Sequence, residues 1–373
     1  MRKRSHLIVH LDHFSYNIEE IKKKSPGKEI IHMVKANAYG HGLVKMVEHT
    51  YNELSGKVFG CASVGEALYL RKHLPDLEFE ILVFSDFDLK TDSSEILSKR
   101  IIPVISNLDD LKYFLSDSAY KFVPLYLKFN TGMNRLGIKM SEIEQVIDFI
   151  KKSGRKAIDH LMSHFACASL SIKTNSHNKR QVENFKSLKS QLSGAGLGIV
   201  ESSLANSGAI IQEEGMDESH VRPGLMMYGP SGVAPSVSEK FPWNGKIVSQ
   251  MQTYIIDEFF ATKGTPIGYG ANPCPYEGQI AILGVGYGDG IGTCYSGLEL
   301  EINDSPCRVI GRVNMDMLAV QVMNGEKQTF KKGDQVNIWD YEVESIDRIC
   351  RHAKMIPYEI FCDISARVPR IYR

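Results

Sequence analysis

The sequence predicts an α/β chain in two parts: a (β/α)₈ barrel of the TIM type over residues 1–236, then a mostly β domain over residues 237–373. Three observations predict it. Short apolar runs alternate with amphipathic stretches up to about residue 235. The texture then changes at GPSGVAPSVSEKFP, residues 229–242, which is rich in Gly, Pro and Ser and reads as a linker or domain edge. Beyond it, strand-like runs follow one another with turns between them and few helical stretches.

In the first part, candidate strands cover residues 30–34, 58–62, 79–84, 101–105, 125–129, 158–163 and 199–205. Each is β-branched or aromatic and short enough to be buried on both faces. Helical stretches lie between them. Residues 63–73 open on Ser63 with Glu66 three residues later, a capping-box pattern, and residues 142–152 and 177–192 carry apolar residues at helical spacing. Seven or eight such units suggest a closed barrel. An open doubly wound sheet is the rival, and the pattern alone does not separate the two. No glycine fingerprint or P-loop opens any of these helices. In the second part, residues 246–256, 279–285, 298–302, 307–313, 318–322 and 335–339 read as strands, and residues 343–353 as a helix.

Composition narrows the function. Apolar residues make up 43% and charged residues 24% of the chain, ordinary values for a globular protein. Lys+Arg equals Asp+Glu at 44 each, so no electrostatic footprint for nucleic acid or an anionic membrane is expected. The seven cysteines form no CxxC pair and their number is odd, which points to reduced thiols in the cytoplasm rather than disulfides or a zinc site. The start, MRKRSHLIVHLDHF, has too short an apolar core for a signal peptide and reads as a solvated basic terminus. No run approaches the length of a membrane span.

Several short segments carry candidate chemistry. Lys35 ends the apolar run IIHMVK, where an ammonium is costly without a task or a partner. At the C-terminal end of a barrel strand it would face the active site, and a desolvated lysine there can form a Schiff base. Lys128 lies inside a second apolar strand, with Arg135 seven residues on, after a Gly-containing turn. The bland reading is a structural ion-pair position; two like charges would need an anion between them. His164 closes another strand, and a lone histidine is more often structural than catalytic. Asn206-Ser207-Gly208 offers small residues at a strand-to-helix turn, suited to a phosphate. Arg222 precedes a Pro-Gly turn. In the second part, Gly268-Tyr269-Gly270, GYGDG at 286–290, RVNMD at 312–316 and PYE at 357–359 would, without other information, be loop and packing features.

Taken in order, these segments resemble the bacterial alanine racemases, fold-type III pyridoxal-5′-phosphate (PLP) enzymes. VKANAYGHG matches the PLP-lysine signature of that family. LKFNTGMNRLG, SHF, ANSGA, RPGLMMYG, GYG, GYGDG, GRVNMD and PYE follow in the right order over nearly the whole chain. The resemblance implies an N-terminal (β/α)₈ barrel, a C-terminal β domain and a head-to-tail homodimer with shared active sites. It implies that Lys35 holds PLP covalently and serves as one catalytic base, with Tyr269 as the opposing base, supplied across the dimer. Tyr39, Asn206, Ser207, Gly224, Leu225 and Tyr358 are then cofactor-binding residues at the phosphate. Arg222 faces the pyridine nitrogen with His164 behind it. Arg135 meets the phenolic oxygen and helps bind the substrate carboxylate. Met315 and Asp316 reach the substrate from the other subunit, and Tyr287 lines the entrance. Lys128 matches a lysine that is carbamylated in many relatives. No metal is implied.

The chain departs from the common pattern in places. Asn130 stands where Asp is usual, Asn134 where Gly is usual and Asn314 where Cys is frequent, while Cys167 and Ser169 vary a segment that often reads ATAD. The expected activity is interconversion of L- and D-alanine, supplying D-alanine for peptidoglycan. Alternatives are a racemase of broader or serine specificity, or a non-catalytic PLP-binding protein. The latter is a lone barrel, and the second domain with Tyr269 argues against it.

Overall fold

The computed structural model describes residues 4–323 and 330–373; the basic terminus at residues 1–3 lies outside them. The strands up to the domain edge are β1 (Ser5–Val9), β2 (Glu29–Met33), β3 (Val58–Ser63), β4 (Glu80–Asp86), β5 (Ile101–Ile105), β6 (Tyr126–Asn130), β7 (Ile138–Lys139), β8 (Ala157–Met162), β9 (Gly198–Asn206) and β10 (His220–Arg222). Eight of them pair in parallel in the order β5-β4-β3-β2-β10-β9-β8-β6, and β5 also pairs with β6, which closes the ring. That pairing decides for the barrel against an open sheet.

The helices follow their sequence signals. Ser63 Oγ accepts the amide of Glu66 at 3.2 Å, capping Val64–His73. Ile143–Lys152 buries Ile143, Val146, Ile147 and Ile150, a spacing that puts one apolar stripe against the barrel. Interior and wall residues join one core in which Val9, Phe14, Ile31, Phe59, Val104, Leu127 and Leu161 are essentially inaccessible.

The second domain is built around β11 (Ser249–Ala261), a strand of 13 residues. It pairs antiparallel with Gly278–Leu283, with Gln335–Trp339 and with β1. Here the division at residue 236 needs a correction. Ser5–Val9 was grouped with the barrel, but it lies in the second sheet, between β11 and Arg370–Tyr372. Its partners lie at least 240 residues away, so no local pattern could reveal them. All five of its residues are buried, which explains the apolar Leu7–Val9 so close to the start of the chain. Among the described residues, no helix is long and apolar enough to cross a membrane.

Candidate active site at the barrel mouth

The C-terminal ends of the barrel strands converge on one cavity of about 620 Å³. Its lining includes Lys35, Tyr39, Lys128, Arg135, His164, Asn206, Ser207, Arg222, Gly224 and Tyr358. Leu225 is buried directly behind Gly224. A larger cavity of about 950 Å³ opens among the N-terminal ends of β3 to β5, lined by Lys57, Arg71, Phe79 and Phe122, and collects no comparable set of functional groups.

Lys35 does not end a strand. β2 stops at Met33, and Lys35 opens a left-handed turn in which Ala36, Asn37, Ala38 and Tyr39 all have φ of 52–55°. For L-residues this conformation costs about 1–2 kcal/mol each, so other contacts must hold it. Glu66 Oε1 accepts the amide of Ala36 at 2.6 Å, while its Oε2 takes that of Ala62 at 2.8 Å. Asn37 Oδ1 caps Leu43 at 2.8 Å. The second domain also grips the loop: Arg370 donates to Gly40 O at 2.9 Å and His41 Nε2 meets Ser249 Oγ at 3.0 Å. The turn carries Tyr39 back under the cavity, where it stacks on Tyr228 at 4.8 Å and leans against Tyr358 at 5.8 Å.

Opposite Lys35, the backbone comes close. A side chain at Gly224 would place its Cβ 2.5 Å from Tyr39 Oη, and one at Gly208 would lie 2.3 Å from Ala168 O. Ser207 Oγ accepts the Gly224 amide at 2.9 Å and the Met226 amide at 3.5 Å, so two amides and a hydroxyl meet at one spot. Asn206 lines the cavity, but its side chain accepts the amide of Ala209 at 3.4 Å and so also fixes the turn.

The floor of the cavity is cationic. Arg222 is buried and donates to Ser163 O and to Ser203 Oγ. Burial pushes its guanidinium down to about 10, which leaves it charged at neutral pH. Burial, followed by the charges of Arg222, Arg135 and Lys35, pushes Lys128 down to about 8. Burial and Arg135 likewise lower Lys35, and burial with Arg222 holds His164 neutral, well below the usual histidine range. Four basic side chains around one cavity, with no carboxylate among its lining residues, form a site for an anionic ligand.

The two asparagines that depart from the family pattern support each other. Asn130 Nδ2 donates to Asn134 Oδ1 at 2.9 Å, while Asn130 Oδ1 accepts the amides of Gly132 and Asn134 at 3.0 Å each. Asn134 has φ of 56°, and asparagine tolerates that conformation best after glycine. The loop between Lys128 and Arg135 is thereby held without the usual Asp and Gly.

Tyr269, Tyr287, Met315 and Asp316 do not line this cavity. Tyr269 tips the hairpin between Pro266–Ile267 and Asn272–Pro273 and is 72% exposed. Tyr287 and Met315 are 48% and 54% exposed. Their loops are nonetheless fixed to each other: Tyr287 N donates to Asn314 O at 3.0 Å and Gly288 N to Met315 O at 2.9 Å. Asp316 bridges Arg4 and Arg367 at 2.9 Å each, and Arg367 continues to the buried Asp289 at 2.8 Å.

Residues 9–232 match the family described as alanine racemase, N-terminal domain, and residues 248–372 match alanine racemase, C-terminal domain. An alanine racemase of Coxiella burnetii is 30% identical over 367 residues, covering 96% of each chain. The chain belongs to the alanine racemase family. Members of this family racemise alanine with PLP, and the cavity fits that group: a desolvated lysine, a backbone cradle kept clear by glycine, and a cationic floor. Among solved structures, the alanine racemase of Acinetobacter baumannii superposes with a TM-score of 0.85 at 28% identity over 100% of both chains. That of Bartonella henselae, solved with covalently bound pyridoxal phosphate, gives 0.87 at 24% identity, also over 100% of both.

Sequence reasoning missed the supports of this site. Glu66 was read as a capping residue, yet its carboxylate anchors the lysine turn. Ser163 and Ser203 hold Arg222, and Gln181 holds the His164 carbonyl at 2.9 Å. The one signal available was serine at inward positions of otherwise apolar strands.

Proposed function

We propose that the chain interconverts L- and D-alanine by two bases on opposite faces of the substrate, Lys35 and the partner subunit's Tyr269. The observation that carries this reading is the convergence of Lys35, Arg135, Arg222, Ser207 and Gly224 on one cavity, while Tyr269 stands far out on an exposed hairpin.

When bound at Lys35, PLP supplies the electron sink that makes the α-proton removable. The chain's residues do the rest. Ser207, Tyr39, Tyr358 and the amides at Gly224 and Leu225 would hold the phosphate, with Asn206 fixing the turn. Arg222 stays protonated and would face the ring nitrogen without giving up its proton, an arrangement that would disfavour transamination. His164, neutral, packs behind it. Lys35 Nζ takes the α-proton on one face, and the partner subunit's Tyr269 hydroxyl delivers one on the other, so no net proton is consumed. Arg135 and the partner subunit's Met315 amide hold the carboxylate. The partner subunit's Asp316 and the partner subunit's Tyr287 shape the entrance.

A neutral amine is the form that takes up carbon dioxide, and a lysine pushed down to about 8 holds a far larger neutral fraction near physiological pH than one at its ordinary 10.5, though most of it stays protonated there. Lys128 is therefore suited to carbamylation, and the carbamate would supply the anion missing beside Arg135. The expected setting is the cytoplasm, in a homodimer that provides D-alanine for peptidoglycan.

The test is Tyr269→Phe. Racemisation from L to D should fall about 10²- to 10⁴-fold, the range of a lost general acid or base, while the visible absorbance of the bound cofactor persists. Unchanged turnover removes Tyr269 from its role. Wild-type turnover of L-serine comparable to that of L-alanine would favour the broader-specificity reading.

A further inference from the structure

Beneath the cofactor cavity, on the inward face of the barrel, lies a second cluster that the racemisation reading does not use. His160 on β8, Glu201 on β9 and His220 on β10 sit on three neighbouring strands. His160 Nδ1 lies 3.3 Å from Glu201 Oε2, and His220 Nε2 lies 3.7 Å from the same oxygen. Potential ligand atoms of all three residues fall within 4.8 Å of one another.

We propose that His160, Glu201 and His220 form a zinc-type divalent cation site at the base of the barrel. Zinc binds histidine nitrogen and carboxylate oxygen at about 2.0–2.2 Å, so tetrahedral ligands lie about 3.3–3.6 Å apart. The two observed separations match that spacing with shifts of a few tenths of an ångström. The far nitrogen of each ring is already occupied, as ligand histidines require. His160 Nε2 meets Ser203 Oγ at 2.7 Å and His220 Nδ1 meets Ser219 Oγ at 2.9 Å. Tyr126 stacks on the His160 ring at 4.9 Å and fixes its plane.

The charge environment also favours a cation. Both rings are buried, and Glu201 shares its surroundings with the carboxylates of Asp159, Glu29 and Glu80. A cation among these groups would relieve that crowding. His160 and His220 are 0% and 7% exposed, whereas Glu201 is 39% exposed, so a fourth ligand, water, would reach the ion beside Glu201.

The site touches the cofactor cavity indirectly. His220 and Arg222 are two residues apart on β10, and Ser203 accepts from Arg222 while meeting His160. With a cation on Nδ1, the His160 proton sits on Nε2 and is donated to Ser203.

The experiment is zinc titration of chelator-stripped, PLP-loaded enzyme by calorimetry, with metal content measured after dialysis. Wild type should bind one zinc ion per chain tightly. Glu201→Gln, nearly isosteric and at a partly exposed position, and His220→Ala should each weaken binding by at least about 100-fold, since losing even an outer-shell partner costs 10- to 100-fold. His13→Ala, in the separate His10–Asp12–His13 cluster, should bind as wild type does. The proposal is overturned if wild type takes up no stoichiometric zinc, or if Glu201→Gln binds it undiminished. In the second case thiols or adventitious histidines hold the metal. Should His220→Ala fail to fold, Glu201→Gln decides alone.

Discussion

The barrel mouth and the β-domain loops that carry Tyr269, Tyr287 and Met315 are built in opposite ways. At the mouth, Arg222 is 4% exposed and Lys128 7%, and the backbone around Lys35 is forced into a left-handed turn and pinned from several sides. On the β domain, Tyr269 and Met315 are 72% and 54% exposed, and neither lines the barrel-mouth cavity. Yet the loops of Tyr287 and Met315 are joined by two backbone hydrogen bonds, and Arg367 holds Asp316 beside them. Rigid backbone under exposed aromatic and apolar side chains is what a surface awaiting a partner looks like. The difference teaches that the two groups of residues are built for different settings, one buried within its own chain and one exposed, as the proposed two-half-site reading requires.

The comparison can be broken or sharpened by substitution, beginning with the largest effect. Lys35→Ala should lower racemisation by at least about 10⁴-fold and abolish the covalent cofactor absorbance. Tyr269→Phe, by contrast, should keep that absorbance and change the unfolding free energy by no more than about 0.5 kcal/mol, as an exposed position would. Loss of cofactor in both variants would contradict the division into two halves.

Lys128 gives a pH signature of the buried half. Below pH 8 it is protonated in both folded and unfolded chains. Between about 8 and its ordinary 10.5, the unfolded chain holds a proton that the folded one has released. Stability of the uncarbamylated protein should therefore rise with pH across that window, on the order of 3 kcal/mol from this group. Comparing urea midpoints at pH 7.5 and pH 10 for wild type and Lys128→Met checks it, since the variant should lose that part of the slope.

Smaller effects sharpen the account of the strained turn and its neighbour. Glu66→Gln can accept only one of the two amides that the carboxylate holds and should cost about 1.5–3 kcal/mol of thermal stability, with a weakened grip on cofactor. Asn134→Ala loses both the left-handed preference and the bond to Asn130 and should cost about 1–2 kcal/mol, whereas Asn134→Gly should cost less. If alanine and glycine behave alike there, the backbone conformation is not what selects asparagine.

Much of this was legible in the residues. The barrel strands and the helix signals at Ser63 and Ile143 are local patterns, so the sequence shows them directly. The closure of the ring is not local: it rests on β5 meeting β6, and the alternation of strands and helices is the same in an open sheet. Ser5–Val9 was misplaced for a related reason, since a strand's neighbours are set by tertiary packing rather than by its own pattern. At the site, the charged residues stood out because an ammonium or guanidinium in an apolar run is costly. Ser163, Ser203 and the second role of Glu66 did not, because small polar residues and a helix-capping glutamate are common in any chain. His160, Glu201 and His220 lie 41 and 19 residues apart and meet only when the barrel closes.

The central claim is that each active site joins Lys35 of one subunit to Tyr269 of the other, and mixing two inactive variants tests it most directly. Lys35→Ala and Tyr269→Phe chains, unfolded together and refolded with PLP, should form mixed dimers that hold one intact site each. Activity should then return to roughly a quarter of wild type, because half the dimers are mixed and one of their two sites is whole. Activity no higher than the average of the two parent variants would mean that both groups act within a single chain, and the two-half-site reading would be wrong.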